Sequence, residues 1–108
     1  MALELLTTTA FERDVRRVKK QDKDLNKLET IVNLLQAQEQ LPGRRHPHPL
    51  RGNWAGHWDC PVEPDWLLLY RVTENELILV RTGSHIVLRA LDKEPERRAL
   101  HVRVTTGR

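Results

Sequence analysis

The first third of the chain shows two different spacings of apolar positions. Alternating apolar residues near the start indicate a short strand over roughly residues 2–7. Apolar residues then recur every three or four positions, which predicts a helix over about residues 10–20. Thr9 and Glu12 match a capping box, in which each side chain bonds a free amide at the start of a helix. The apolar positions of this helix are Phe11, Val15 and Val18.

A second apolar stripe with helical spacing follows directly. Either Asp22 or Asp24 could cap this second helix, because an aspartate oxygen accepts the free amides of the first turn. Pro42 and Gly43 are expected to end it. The two helices should therefore form a hairpin that lies on a sheet. The stripe consists of Leu25, Leu28, Val32 and Leu35, widened by Ile31 and Leu34.

The second half of the chain alternates between loop and strand signals. Residues 41–56 are rich in proline, glycine and basic residues, which predicts a loop with a strand starting near Trp54. Two apolar runs, over residues 66–72 and 77–82, flank turn-forming residues at 73–76 and predict an antiparallel hairpin. The order of a strand, two helices and a run of strands indicates an α+β fold.

A length of 108 residues supports one domain. We expect that domain over residues 1–89, followed by an unstructured charged tail over 90–108. No apolar run is long enough to cross a bilayer, so no membrane association is expected. The start of the chain lacks the basic flank of a signal peptide, and Cys60 has no cysteine to pair with. These features predict a cytoplasmic protein.

The net charge of +3 is concentrated in two segments, residues 11–20 and 44–51. The second holds three arginines, two histidines and no acid, which favours a polyanion partner. The first is equally consistent with the solvated face of a helix. The basic residues that we single out as candidate RNA contacts are Lys19, Lys20, Arg44, Arg45 and Arg51.

Three groups of polar residues remain once the apolar positions are assigned to a core. They are the histidine-containing loop around His48, the acidic stretch from Asp59 to Asp65, and the segment from Arg81 to His85. Histidine suits proton transfer because its ordinary pKa is near 6.5, and arginine suits a phosphate because its planar fork is permanently charged. Together these groups could cleave RNA through attack of a 2′-hydroxyl on its own 3′-phosphate, with no metal and no cofactor.

Each group also has a simpler interpretation. The aspartates could cap turns, and Trp66 could pack in the core, although a tryptophan can also stack on bases. A zinc-stabilised nucleic-acid-binding module is a further alternative, but the ligand spacing matches no familiar zinc finger. Its four ligands would be His46, His48, His57 and Cys60.

The order and spacing of several motifs resemble the YafQ-type members of the RelE-like mRNA interferase toxins. The matching motifs are His48-Pro49-Leu50-x-Gly52-x-Trp54-x-Gly56, Val62-Glu63-Pro64-Asp65-Trp66, Leu69-Tyr70 and Arg81-Thr82-Gly83-Ser84-His85, with Asp59 between the first two. The resemblance implies a RelE-like microbial ribonuclease fold, with an N-terminal helical hairpin packed on a twisted antiparallel sheet. It also implies a toxin that cleaves mRNA in the ribosomal A site, where the toxin would contact the 16S rRNA. The implied partner is a cognate antitoxin, DinJ-like or another, through which alone operator DNA would be contacted.

The resemblance also assigns roles by position. His48 and His85 correspond to acid–base residues, without a decision on which donates the proton. Asp65 would orient a histidine or accept a proton, and Asp59 belongs to the same site. Arg81 would hold the scissile phosphate. Trp66 would support the site by packing, and it is also a candidate RNA contact.

Two positions depart from the family pattern. Pro61 stands where these toxins have a further active-site histidine, and Arg89 stands where they have an aromatic residue. One proton carrier is therefore missing. The alternative to an active mRNA-cleaving toxin is a catalytically weak or inactive RelE-fold protein that acts by binding the ribosome, RNA or antitoxin.

Overall fold

A computed structural model describes residues 2–43, 46–85 and 88, and the backbone of 101–103. Within these residues, two helices and six strands form one α+β unit, which confirms the expected fold class. None of its helices is long and apolar enough to span a membrane. The elements are β1 (Glu4–Thr8), α1 (Thr9–Lys20), α2 (Leu25–Gln36), β2 (His48–Pro49), β3 (Trp58–Glu63), β4 (Trp66–Val72), β5 (Glu76–Gly83) and β6 (His101–Arg103), with a 3-10 turn at Gly52–Trp54.

The strands lie side by side in the order β2-β3-β4-β5-β1-β6. The predicted β4–β5 hairpin is confirmed, and most neighbouring strands are antiparallel. The sheet is nevertheless mixed, because β1 runs parallel to β5 with Leu5 opposite Leu77. These two strands are far apart in the sequence, so no tight turn between them imposes an antiparallel direction.

Helix α1 begins one residue earlier than the capping-box pattern indicates. The cap is Thr8, whose hydroxyl accepts the amide of Phe11 at 2.9 Å. The same hydroxyl donates to the carbonyl oxygen of Val80 on β5 at 2.8 Å. Because this second bond is available only to Thr8, the tertiary contact selects it over Thr9, and the predicted cap was wrong by one residue.

Helix α2 begins as predicted and ends earlier than predicted. The side chain of Asp24 accepts the amide of Asn26, so Asp24 is the cap. The helix ends at Gln36, ahead of Pro42. Gln38 adopts a left-handed backbone with φ of 60°, and its amide bonds back to the last turn, which closes the helix before the proline is reached.

The main core lies between the helices and one face of the sheet. It is built from the apolar stripes of both helices and the alternate residues of β3 and β4. Buried members include Phe11, Val18, Leu28, Ile31, Cys60, Val62, Trp66, Leu68 and Tyr70. On the opposite face a smaller cluster of Leu6, Ile78 and Val80 is covered by Trp54. This second face is not covered by α1 or α2, which leaves room for a site.

Two further segments differ from the sequence-based expectation. Strand β3 starts at Trp58, and the region around Trp54 forms a 3-10 turn instead. Residues 101–103, expected to be unstructured, form β6 against β1, with Val102 opposite Thr7.

Candidate functional site

A cavity of about 400 Å³ opens on the face of the sheet opposite α1 and α2. Leu67 and Leu69 of β4 form its floor, while Asp59 and His85 line its sides. Asp59 lies opposite Leu69 in the sheet register, so the two side chains project from the same face. The cavity therefore joins an apolar floor to a carboxylate and an imidazole, the combination typical of small-molecule and substrate sites.

The first pair of candidate site residues joins β2 to β3 beside this cavity. His48 lies opposite Asp59 in the antiparallel register. Its Nδ1 atom is 3.6 Å from Asp59 Oδ1, which is an ion-pair distance when the imidazole is protonated. His48 is well exposed, whereas Asp59 is partly buried. The short β2 strand therefore serves to place one exposed imidazole over a carboxylate at the rim.

The second pair joins the β3–β4 turn to the end of β5. One carboxylate oxygen of Asp65 lies 3.1 Å from His85 Nδ1 and also accepts the His85 backbone N–H at 3.2 Å. Since a carboxylate only accepts, Nδ1 carries the proton and the Nε2 atom of His85 is left for a substrate. The backbone N–H of His85, and then its side chain, hold the pKa of Asp65 below its usual value.

The loop of residues 50–57 is held by its own hydrogen bonds above the cavity. Gly52 and Gly56 have φ of 65° and 91°, a left-handed backbone that favours glycine, which accounts for their fixed spacing in the motif. His57 is buried with its ring edge against Trp54, and burial lowers its pKa. His57 is thus a structural residue of the loop, and the exposed Arg51 is the cation that the loop brings to the cavity.

Arg81 binds Asp14, a residue that the sequence analysis did not single out. Its Nε and Nη2 atoms donate to the two carboxylate oxygens of Asp14 on α1, at 2.6 and 3.0 Å. Asp14 is completely buried. One signal was available in the sequence: Asp14 lies three residues after Phe11 and four before Val18, on the apolar face of its helix. An acidic residue on that face needs a buried partner.

Trp66 is fully buried in the core, so the expectation that it contacts RNA was wrong. Its Nε1 donates to the Thr82 hydroxyl at 2.9 Å, and that hydroxyl donates to the Leu67 carbonyl at 2.7 Å. The indole thereby links β4 to β5 beside Asp65.

The other basic candidates lie away from the cavity or outside the described residues. Lys19 and Lys20 are exposed at the end of α1 and do not line the cavity. Arg44, Arg45 and Arg89 lie outside the described residues.

The zinc alternative is not supported by the described part of the chain. His57 and Cys60 are buried, while His48 is exposed and lies beside Asp59. Among the residues that the structure describes, no three histidine, cysteine, aspartate or glutamate side chains group as metal ligands.

Pro61 lies on the cavity face of β3, two residues after Asp59 and opposite Leu67. Strand β2 pairs only with residues 58 and 59, so β3 has no neighbour on its outer side at Pro61 among the described residues. A proline is tolerated there because no ladder partner requires its missing N–H. A histidine at this position would face the same cavity.

The family model that matches this chain covers residues 3–90 and describes YafQ, a bacterial toxin of a type II toxin–antitoxin system. The chain belongs to the YafQ toxin family. The matched residues contain both carboxylate–imidazole pairs, the cavity and Asp14.

Individual relatives of the YafQ family agree with this assignment. The mRNA interferase toxin YafQ of Escherichia coli (strain K12) is 42% identical over 79 residues, which are 72% of this chain and 86% of the relative. The structure of the E. coli DinJ–YafQ toxin–antitoxin complex matches with a TM-score of 0.75 and 37% identity, covering 82% of this chain and 98% of that one. A metal-bound toxin from Helicobacter pylori matches with a TM-score of 0.74 and 34% identity, over 82% and 99% of the two chains.

Proposed function

We propose that this YafQ-family toxin is an endoribonuclease that cleaves mRNA in the ribosomal A site and thereby stops translation. One observation carries the proposal: two carboxylate–imidazole pairs, His48–Asp59 and Asp65–His85, flank a single open cavity. The E. coli relative is named an mRNA interferase.

The chemistry that fits these groups is an internal transfer at phosphorus. One imidazole, in its neutral form, removes the proton from a ribose 2′-hydroxyl, and the 2′-oxygen attacks the adjacent 3′-phosphate. The bond from phosphorus to the 5′-oxygen breaks, and the other imidazole, in its protonated form, gives that oxygen a proton. The products are a 2′,3′-cyclic phosphate and a 5′-hydroxyl. With a carboxylate at each Nδ1, His48 and His85 both present Nε2 to the substrate.

The charge that builds on phosphorus requires a cation. Arg51 is exposed and lines the cavity. Arg81 does not line it but is a second candidate, because it lies opposite Leu69 of the cavity floor in the sheet register. These arginines fill the role that a metal would otherwise take, so we propose that cleavage is independent of metal. The test is to add EDTA to remove transition metals while free magnesium is kept at the level that ribosomes need. A cleavage rate that stays unchanged would support this part of the proposal.

The proposed partners are the translating ribosome with its mRNA and a cognate antitoxin. The family is one of type II toxin–antitoxin systems, and the E. coli relative is seen in complex with DinJ. Contact with operator DNA is expected only through the antitoxin.

The direct test is expression of the toxin in cells that lack the antitoxin, with primer extension on a reporter mRNA. We expect new cuts within translated sequence that disappear when translation is blocked. His85→Ala and Asp65→Asn should lower the cleavage rate about 10²–10⁴-fold, the usual contribution of acid–base catalysis. His46→Ala is the matched control, since His46 is an exposed histidine of the same loop that does not line the cavity.

A modified substrate separates the two imidazoles. A 5′-sulfur in place of the 5′-oxygen at the cut needs no protonation to leave, so it should restore the rate of the variant that lacks the general acid. The variant that lacks the base should stay slow. If the sulfur restores neither His48→Ala nor His85→Ala, neither residue is the general acid.

A second candidate function is favoured by Pro61, which removes one imidazole from the cavity face. In this second function the protein does not cleave mRNA and arrests growth by binding the ribosome or RNA alone. Growth arrest with intact mRNA, unchanged in a His48→Ala/His85→Ala double variant, would establish this alternative and reject cleavage.

A further inference from the structure

Asp14 has the most completely enclosed charged side chain in the described part of the protein. Its carboxylate accepts from Arg81 Nε at 2.6 Å and Nη2 at 3.0 Å, from the Thr82 backbone N–H at 3.1 Å, and from Arg17 Nη1 at 3.1 Å. An ionised carboxylate with no exposure persists only when such partners replace water. The bonds to β5 span 67 and 68 residues of sequence, so they fix the position of α1 relative to the end of β5.

The location of Asp14 follows from the topology. Strand β1 pairs with β5 only as far as Thr7 opposite Leu79 and then turns into α1. Beyond that point β5 has lost its neighbouring strand on this side. Asp14 replaces that strand by accepting the Thr82 N–H. The last part of β5, which leads directly to His85, is therefore anchored by a side chain.

The same carboxylate sets the orientation of Arg81. The guanidinium is planar and rigid, so bonds at Nε and Nη2 fix where Nη1 points. For Nη1 the described residues show no partner. Arg81 lies opposite Leu69, which forms the floor of the cavity. A mobile arginine would have to be ordered at each turnover, whereas this one is ordered in advance.

We propose that Asp14 is a positioning residue for RNA cleavage: it holds the Arg81 guanidinium in an orientation that presents Nη1 to the scissile phosphate. This inference rests on the proposed function, because it takes Arg81 as a ligand of the phosphate. Asp14 itself does not touch the RNA. Its effect on the reaction passes through Arg81.

The test is a double-mutant cycle on single-turnover cleavage by the full-length protein on programmed ribosomes. Asp14→Asn should slow the step at saturating ribosome about 10–100-fold, since a displaced group loses roughly that factor. In an Arg81→Gln background, Asp14→Asn should cause little further loss. Glu12→Gln is the matched control, because Glu12 is another acidic residue of α1 whose carboxylate bonds Thr7 and not β5.

The outcomes separate the inference from the proposed function. If the wild-type protein cleaves no mRNA, the proposed function fails. If it cleaves, but Asp14→Asn lowers the rate by the same factor with and without Arg81, Asp14 acts only through general stability and the inference is overturned. Equal rates for wild type and Arg81→Gln would also overturn it. Should Asp14→Asn fail to fold, Asp14→Glu, which keeps the charge and displaces it, takes its place in the cycle with the same expected pattern.

Discussion

The buried hydroxyl of Thr82 offers a quantitative test of how the site is supported. It accepts from Trp66 Nε1 and donates to the Leu67 carbonyl, and both Thr82 and Trp66 are fully buried. Thr82→Val keeps the shape and removes the hydroxyl. The indole N–H is then left without a partner at a cost of about 1–3 kcal/mol, and the lost carbonyl bond adds about 1 kcal/mol. We expect the free energy of unfolding to fall by roughly 2–4 kcal/mol.

Two further variants isolate the hydrogen bonds from the packing. Thr82→Ser keeps the hydroxyl and removes one buried methyl group, which should cost about 1 kcal/mol. Trp66→Phe removes the indole donor. Combined with Thr82→Val, it should destabilise by about 1 kcal/mol less than the sum of the single changes, because neither partner is then left unpaired.

The measurement is urea-induced unfolding of the purified full-length proteins, followed by circular dichroism. The midpoint should fall in the order wild type, Thr82→Ser, Thr82→Val. If Thr82→Val unfolds at the same or higher urea than Thr82→Ser, the two hydrogen bonds contribute no net stability and the reasoning is wrong.

Three other properties can be tested in the same way. Burial lowers the pKa of His57 from 6.5, so the neutral imidazole stabilises the fold above pH 6.5 and this stabilisation is lost as the pH falls below that value. Urea midpoints measured between pH 7.5 and 5 should show this decline. The decline should be smaller in His57→Phe. Lys27→Ala breaks a 2.7 Å bond to Glu63, yet both side chains are partly exposed, so the unfolding free energy should change by less than about 1 kcal/mol, and a larger loss would contradict this. Pro61→His places a third imidazole on the cavity face and should raise the single-turnover cleavage rate; an unchanged or lower rate would show that the existing pairs need no third group.

The sequence predicts best what neighbouring residues decide. Both helices and the β4–β5 hairpin follow from periodicity and turn chemistry, and each is confirmed. The cap of α2 was predicted at Asp22 or Asp24, and the structure selects Asp24. The cap of α1 was displaced because the local capping-box rule selects Thr9, which has Glu12 three residues later. The bond from Thr8 to β5, which no local rule includes, favours Thr8 instead.

Contacts between distant residues could not be predicted in this way. The parallel pairing of β1 with β5 and the bond from Asp14 to Arg81 each join residues about 70 positions apart. The motif resemblance named His48, Asp59, Asp65 and His85 as candidates, and the structure places them in two pairs. It could not reveal that the guanidinium of Arg81 is already bound within the protein.

The parallel pairing of β1 with β5 also affects how the protein is made. Leu5 of β1 pairs with Leu77 of β5. The sheet therefore cannot be completed until nearly the whole family-matched region has been synthesised. Strand β5 also carries Arg81 and leads to His85, which meets Asp65 only after that strand has docked. A nascent chain therefore has an incomplete candidate site until β5 has been synthesised and has docked between β4 and β1.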